Sequence, residues 1–384
     1  MRYYIIAGEA SGDMHAASLM RELKKNDTGA VVRCWGGDRM QEEGGELVMH
    51  YRDLAYMGFI EVAANIRTIL KNLSFCKRDI LQFQPDALIL IDDPGFNLRI
   101  AKFAHKQGFK VVYYISPQVW AWKKSRVYSI RKNVDKMLVI LPFEEEFYRK
   151  YDYTVDFVGH PLLDVVNRPS VFENEEDFRK TIGVTGKPIV AILPGSRKQE
   201  ISRMLPVMVS VAEKHPEYEF IIAGAPSVDP EYYKQATGTG IRIIFGQTHE
   251  LLRHSYAALV TSGTATLETG LFGVPQVVCY RGSAISFAIA RRIVDVKFIS
   301  LVNLIMDRQV VTELIQSDFN EKNLDHEFLK ILEVNNRNRI KADYQLLKEK
   351  LGGPGASERA AQAICLMLQA SSPKPQAASY KLQA

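Results

Sequence analysis

Apolar runs of four to six residues recur along the chain, each followed by an amphipathic stretch of helix length, and this alternation restricts the possible folds more than any other feature. In the first half the runs fall at 3–7, 31–35, 87–91, 111–116, 137–141 and 155–158. A second series follows at 189–193, 220–223, 241–245, 258–261 and 276–279, with helices between the runs, including 199–214 and 265–271. Several runs lack polar alternation, which predicts parallel strands covered on both faces. A chain of 384 residues exceeds one ordinary core. The expected fold class is therefore α/β, with two consecutive Rossmann-like lobes built on parallel sheets.

Texture sets the expected boundaries. Residues 1–165 form the first lobe and 166–340 the second, with the polar, acidic stretch 167–186 between them feeding a helix. Residues 341–370 read as C-terminal helices that pack back on the first lobe. They are broken at Gly352-Gly353-Pro354, with Ser357 as N-cap of the last helix. The Ser/Pro/Ala/Gln/Lys-rich tail 371–384 reads as disordered. No fixed-period repeat is present.

Four scattered cysteines (Cys34, Cys76, Cys279, Cys365) match neither zinc-site nor disulfide spacing, which favours reduced thiols and a cytoplasmic setting. The N-terminal strand-like run meets Glu9 too soon for a secretory signal, and no uncharged stretch is long enough to span a bilayer. Any membrane contact is thus expected to be peripheral. The net charge of +5 only weakly favours anionic ligands.

In open parallel sheets ligands sit at the carboxyl ends of strands, beside helix N-termini. Polar and glycine-rich residues recur there. Gly8-Glu9-Ala10-Ser11-Gly12-Asp13 follows the first run; it offers N–H groups to an anion, or is a tight turn with Asp13 as a cap. It is not a G-x-G-x-x-G or Walker loop. Asp92-Asp93 ends the 87–91 run, supplying either a general base or a helix cap. The pair is not a D-x-D metal motif. His160, in Val158-Gly159-His160-Pro161, is a structural or ligand-contacting histidine.

In the second lobe Pro194-Gly195-Ser196-Arg197 presents a guanidinium suited to a diphosphate, or one that pairs with Glu200. Ser262-Gly263-Thr264 opens a helix that can receive phosphate, with Ser262 as expected cap. Glu268 lies one turn further on, placed for a ribose diol.

Two segments invite a lipid reading. Residues 59–80 carry Ile66, Ile69 and Leu73 at helical spacing, preceded by apolar Met57 and Phe59. The stretch 120–136 holds Trp120, Trp122 and six cations, Lys123 and Lys124 among them. Each has a plain alternative: a core helix, and a solvated basic face. No nucleic-acid module accompanies the charge.

Taken in order, these motifs resemble the lipid-A-disaccharide synthase family of inverting glycosyltransferases. The likeness runs from Gly8 to about residue 368. It is carried by Gly8-Glu9-Ala10-Ser11-Gly12-Asp13, Met57-Gly58 with Glu61-Val62, Ile91-Asp92, and Ser116-Pro117-Gln118-Val119-Trp120-Ala121-Trp122. It continues through Leu141-Pro142-Phe143-Glu144, Gly159-His160-Pro161, Leu193-Pro194-Gly195-Ser196-Arg197, Ser262-Gly263-Thr264-Ala265 and Asn303-Leu304-Ile305. The sequence departs from the family pattern at Gly95, where many members carry aspartate, and at Val302, where proline is usual.

The resemblance implies the GT-B architecture, with two lobes facing a central cleft. It implies transfer from UDP-2,3-diacylglucosamine to 2,3-diacylglucosamine 1-phosphate (lipid X), forming a β-1′,6-linked disaccharide phosphate and UDP without cofactor or metal. Asp92 matches the proposed base. Arg197 and Asn303 match residues tied to binding and activity, and they join Ser262, Gly263, Thr264 and Glu268 on the UDP side. Gly8, Glu9, Ser11, Asp13, Ser116, Trp122 and His160 fall on the acceptor side. Met57, Phe59, Ile66, Ile69, Lys123 and Lys124 would meet acyl chains or the inner-membrane surface. Oligomeric state, including a homodimer, stays open. So do two rival functions, a nucleotide-sugar 2-epimerase and a non-catalytic binding protein.

Overall fold

The computed structural model describes residues 1–54, 66–184, 186–237, 240–283, 287 and 296–371. The chain forms two compact units, one of residues 1–161 with 355–384, the other of 162–354. The first holds seven strands: β1 (Arg2–Ala7), β2 (Val31–Gly36), β3 (Glu46–His50), β4 (Ala87–Ile91), β5 (Lys110–Tyr114), β6 (Lys136–Val139) and β7 (Asp156–Phe157). They pair in parallel in the order β3-β2-β1-β4-β5-β6-β7. The second holds β8 (Ile189–Leu193), β9 (Glu219–Gly224), β10 (Arg242–Phe245), β11 (Ser255–Thr261), β12 (Gln276–Tyr280) and β13 (Thr312–Ile315). These are also all parallel, in the order β10-β9-β8-β11-β12-β13. The α/β class with two parallel-sheet lobes is the observed one.

Every residue of β4 and of β8 is buried, because helices cover both faces of the central strands. This is why Ala87–Ile91 and Ile189–Leu193 read as unbroken apolar runs. The edge strands β3 and β13 are only partly buried and carry polar residues, and neither stood out as a run. Each sheet reverses strand order once, between β1 and β4 and between β8 and β11. Those switch points open a crevice at the strand ends, where ligands bind in folds of this type.

The observed division differs from the expected boundaries. Helix Leu162–Val166 packs on helix Thr264–Leu271 and so belongs to the second unit. Helix Val334–Lys350 stays there as well, with Tyr344 fully buried and its hydroxyl accepting from Gln276 Nε2 at 3.1 Å. Only the last helix, Ala356–Ser371, returns to the first unit. It lies along helix Ala10–Asn26, and Arg359 Nε donates to the Val158 carbonyl at 2.8 Å. Ser357 sits inside this helix rather than at its N-cap, and Ser371 is still helical. The rest of the expected tail lies outside the described residues. The linker does feed a helix, Glu175–Ile182, capped by Asn174 accepting from the Asp177 N–H at 3.0 Å and closed by left-handed Gly183.

Helix Ile66–Phe83 corrects the lipid reading at Ile69. Its stripe of Ile69, Leu73, Cys76, Ile80 and Phe83 packs into the first unit's core, so Ile69 faces protein. Buried Asp79 pins the helix to β1 and β2: it accepts from Tyr4 Oη at 2.6 Å, and from Arg33 Nε at 2.9 Å and Nη2 at 2.8 Å. Ile66 begins this helix. Met57 and Phe59 lie outside the described residues. Among the described residues no helix is long and apolar enough to cross a membrane.

Candidate functional site

In the first unit β1 and β4 run side by side, with Ala7 opposite Ile91, so the turns that follow them are neighbours. A Cβ on Gly8 would lie 2.7 Å from Asp93 Oδ2, which only glycine avoids. Glu9 is the N-cap residue of helix Ala10–Asn26, exposed at the mouth of the turn. Asp93 occupies the N-cap of helix Pro94–Lys106, and Pro94 opens that helix. Burial raises the Asp93 pKa, opposed by the N–H groups of Phe96 and Gly95.

Asp92 lies one residue before the N-cap position. It keeps solvent-accessible surface, yet the protein packed around its carboxyl desolvates it. The charges of Glu9 and Asp93 add to this and push its pKa up to about 7. A carboxylate poised there is half-protonated near neutrality, the property sought in a general base.

The other residues expected on the acceptor side divide. Ser11 is half-buried in the first turn of its helix. Asp13 is a cap, but of a different helix: it accepts from the N–H groups of Gly37 at 2.7 Å, Met40 at 3.1 Å and Arg39 at 3.2 Å, at the start of Asp38–Glu42. Its carboxylate is committed inward, which corrects the expectation of a cleft residue. His160 is buried; desolvation, with the nearby charge of His15, lowers its pKa to about 3 and keeps it neutral. Ser116 is also buried, its hydroxyl bonded to Tyr148 Oη at 2.7 Å.

Beside Ser116, Glu144 is sealed from solvent and accepts from the Leu141 and Ile140 N–H groups at 3.0 and 3.3 Å. Burial pushes it up to about 8 against those donors. Trp122 is half-buried, with Lys123 Nζ 4.7 Å and Arg126 Cζ 5.0 Å from its ring centre. Lys123 and Lys124 are exposed.

In the second unit β8 and β11 are neighbours, Leu193 opposite Val260, and their turns lie together in the same way. Gly195 is left-handed at φ 108°, and a Cβ there would meet Glu200 Oε2 at 2.6 Å. Glu200 folds back to accept from the Ser196 and Arg197 N–H groups at 3.1 and 3.3 Å. The Arg197 guanidinium stands 3.5 Å from Glu200 with more than half of its side chain exposed. The pairing with Glu200 expected of Arg197 is present, and its side chain remains presented to solvent.

Gly263, not Ser262, is the N-cap of helix Thr264–Leu271. Ser262 instead donates its hydroxyl to the Ile299 carbonyl at 3.1 Å. The Thr266 N–H bonds the Gly263 carbonyl at 3.2 Å, while helix geometry leaves the N–H groups before it without an intrahelical acceptor, which suits the turn to an anion. One turn in, burial pushes Glu268 up to about 7, and His249 Nε2 lies 3.8 Å from its carboxylate.

Asn303 is fully buried and internally bonded. Its Oδ1 accepts from Val310 and Val311 N–H at 2.7 and 3.0 Å, while Nδ2 donates to Val311 O and Glu313 Oε1, both at 2.9 Å. Four bonds exhaust a carboxamide, so direct contact with a nucleotide is not its task here. Glu313 on β13 completes the clasp by accepting from Ile299 and Ser300 N–H at 2.9 Å each. Since Ile299 O receives Ser262, the clasp reaches the phosphate-type turn. Glu313 was not singled out from the sequence. Among the described residues no three metal-ligating side chains converge.

The lipid-A-disaccharide synthetase family model matches residues 3–366. The lipid-A-disaccharide synthase of Syntrophus aciditrophicus is 42% identical over 376 residues, covering 96% of this chain and 98% of that protein. That of Geobacter sulfurreducens is 37% identical, with 96% and 97% covered. Among solved structures, the UDP-GlcNAc 2-epimerase of Neisseria meningitidis bound to UDP-GlcNAc has a TM-score of 0.67 at 13% identity, over 95% of this chain and 100% of that one. The kitacinnamycin glycotransferase has 0.64 at 12%, over 96% and 99%. At such identities the structures speak for the fold alone. The family match over nearly the whole length decides the rest: this chain belongs to the lipid-A-disaccharide synthases, glycosyltransferases of GT-B fold.

Proposed function

We propose that the chain joins UDP-2,3-diacylglucosamine to the 6-hydroxyl of 2,3-diacylglucosamine 1-phosphate, with Asp92 as general base. Asp92 carries this reading: a carboxylate at a sheet switch point, outside the N-cap position of the following helix, with a pKa of about 7. Its carboxylate takes the hydroxyl proton as the oxygen attacks the anomeric carbon. The carbon–oxygen bond to the diphosphate breaks, UDP leaves with the electron pair, and the configuration inverts. Arg197 and the N–H groups at Gly263 and Thr264 hold the departing diphosphate, and Glu268 receives the ribose hydroxyls. These donors supply the charge stabilisation that a metal gives elsewhere, so transfer proceeds in EDTA.

Membrane contact is peripheral in this reading. It is made by Lys123, Lys124 and Trp122 at a surface of anionic headgroups rather than by the core-packed helix Ile66–Phe83. The deciding experiment incubates purified protein with both substrates in EDTA and follows products by mass spectrometry. A diacylglucosamine disaccharide phosphate with free UDP is the expected outcome. No product with EDTA or with added magnesium, using the host's own acyl lengths, overturns the reading and leaves an epimerase or a binding protein.

A further inference from the structure

The backbone around Asp92 is unusual. Asp92 and Asp93 are both left-handed, at φ 45° and 39°, and Ile115 on the neighbouring strand end is left-handed at 65°. L-residues avoid this region, and two in succession persist only where the surroundings hold them. Two buried side chains do so, both gripping one atom, the Asp92 carbonyl oxygen. Asn97 Nδ2 donates to it at 2.9 Å and to Ile91 O at 3.0 Å, and Tyr113 Oη also donates to it. The Asp92 N–H is tied to Ile115 O at 3.3 Å. Both gripping residues have no solvent exposure.

Asn97 Oδ1 is buried with no hydrogen-bond partner among the described residues. An orphaned buried acceptor destabilises, so stability alone does not explain an amide at this place. Were the turn to relax to ordinary helical backbone, the Asp92 side chain would leave its place beside Glu9 and the Asp93 cap.

We infer that Tyr113 and Asn97 are positioning residues: by clamping the Asp92 carbonyl they hold the left-handed turn that aims the Asp92 carboxylate at the acceptor hydroxyl. This rests on the reading of Asp92 as base. The charged and titratable groups around the clamp are Glu9, Asp93, Tyr148 and Arg126. Freeing the turn moves the Asp92 carboxyl away from Glu9, Asp93 and the protein packed around it, which lowers its pKa from about 7.

The test uses Tyr113→Phe, which removes one hydroxyl, and Asn97→Ser as a second variant, each alone and with Asp92→Asn. Turnover is measured against pH, with melting temperature to verify the fold and UDP affinity by calorimetry to verify the donor site. The expected result is a kcat ten- to a hundredfold lower for either single variant, UDP affinity within twofold of the parent, and an acid limb moved to lower pH. In the Asp92→Asn background neither substitution costs more than twofold. If Asp92→Asn is inactive while both single variants keep parental kcat and acid limb, the clamp is refuted. Equal losses with and without Asp92 refute it too, since the effect would then be general to the fold. Near-parental turnover of Asp92→Asn alone would instead refute the base itself.

Discussion

Glu313→Gln probes whether the clasp on β13 sets the phosphate-type turn. Glu313 accepts three N–H groups at 2.9 Å, from Ile299, Ser300 and Asn303. Bonds to a charged acceptor contribute about 1.5–3 kcal/mol each. Glutamine keeps one acceptor oxygen, so if it serves Ser300 and Asn303, its amide nitrogen faces the Ile299 N–H. One charge-assisted bond is then lost and a donor is set against a donor, which costs the 299–303 segment roughly 2–4 kcal/mol. If half is felt where Ile299 O receives the Ser262 hydroxyl, UDP affinity falls by about tenfold, since 1.4 kcal/mol corresponds to one decade. Calorimetric titration with UDP reads this, and urea denaturation reads the stability loss. A variant that loses the forecast stability yet binds UDP within twofold of the parent would refute the link between clasp and turn.

Arg197→Ala should weaken UDP binding by tenfold or more while leaving the denaturation midpoint almost unchanged, because more than half of its side chain is exposed and its 3.5 Å pair with Glu200 is a surface ion pair; unchanged UDP affinity would remove it from the donor site. Lys123→Glu with Lys124→Glu should release the protein from anionic vesicles in a sedimentation assay. Ile69→Ser should instead cost about 1–3 kcal/mol in urea denaturation with vesicle binding retained; the reverse pattern would restore the lipid role to the helix. Glu144 has a folded pKa of about 8 against an ordinary value of 4.5, so its contribution is fully present below about pH 4.5 and is lost as pH rises through 8. The stability of Glu144→Gln relative to the parent should therefore improve steadily from pH 5 to pH 9, and a flat difference would contradict the burial argument.

The central strands were legible because burial on both faces leaves no polar residue in Ala87–Ile91 or Ile189–Leu193. Two of the four edge strands, Asp156–Phe157 and Arg242–Phe245, lay within expected runs, but Glu46–His50 and Thr312–Ile315 did not: they are half-covered, so their composition resembles that of loops. In the site, sequence position located the turns but not the duties of polar residues within them. Asp13 and Asn303 carry motif-like spacing, yet the groups that engage them lie at 37–40 and at 310–313, and only folding reveals that they are spoken for. Asp92 and Asp93 looked equivalent until the turn placed Asp93 at the N-cap position and set Asp92 beside the charge of Glu9. The helix at 66–83 shows the same limit. An apolar stripe is identical in sequence whether it meets a core or a bilayer, and buried Asp79 with its three donors decides for the core.

The most direct test of the account compares Asp92→Asn with the parent in single-turnover transfer from saturating UDP-2,3-diacylglucosamine to the acceptor. The account predicts a rate lower by about 10²–10⁴-fold, with UDP affinity and melting temperature unchanged. A folded variant that transfers at close to the parental rate would contradict it and move the base elsewhere in the first unit.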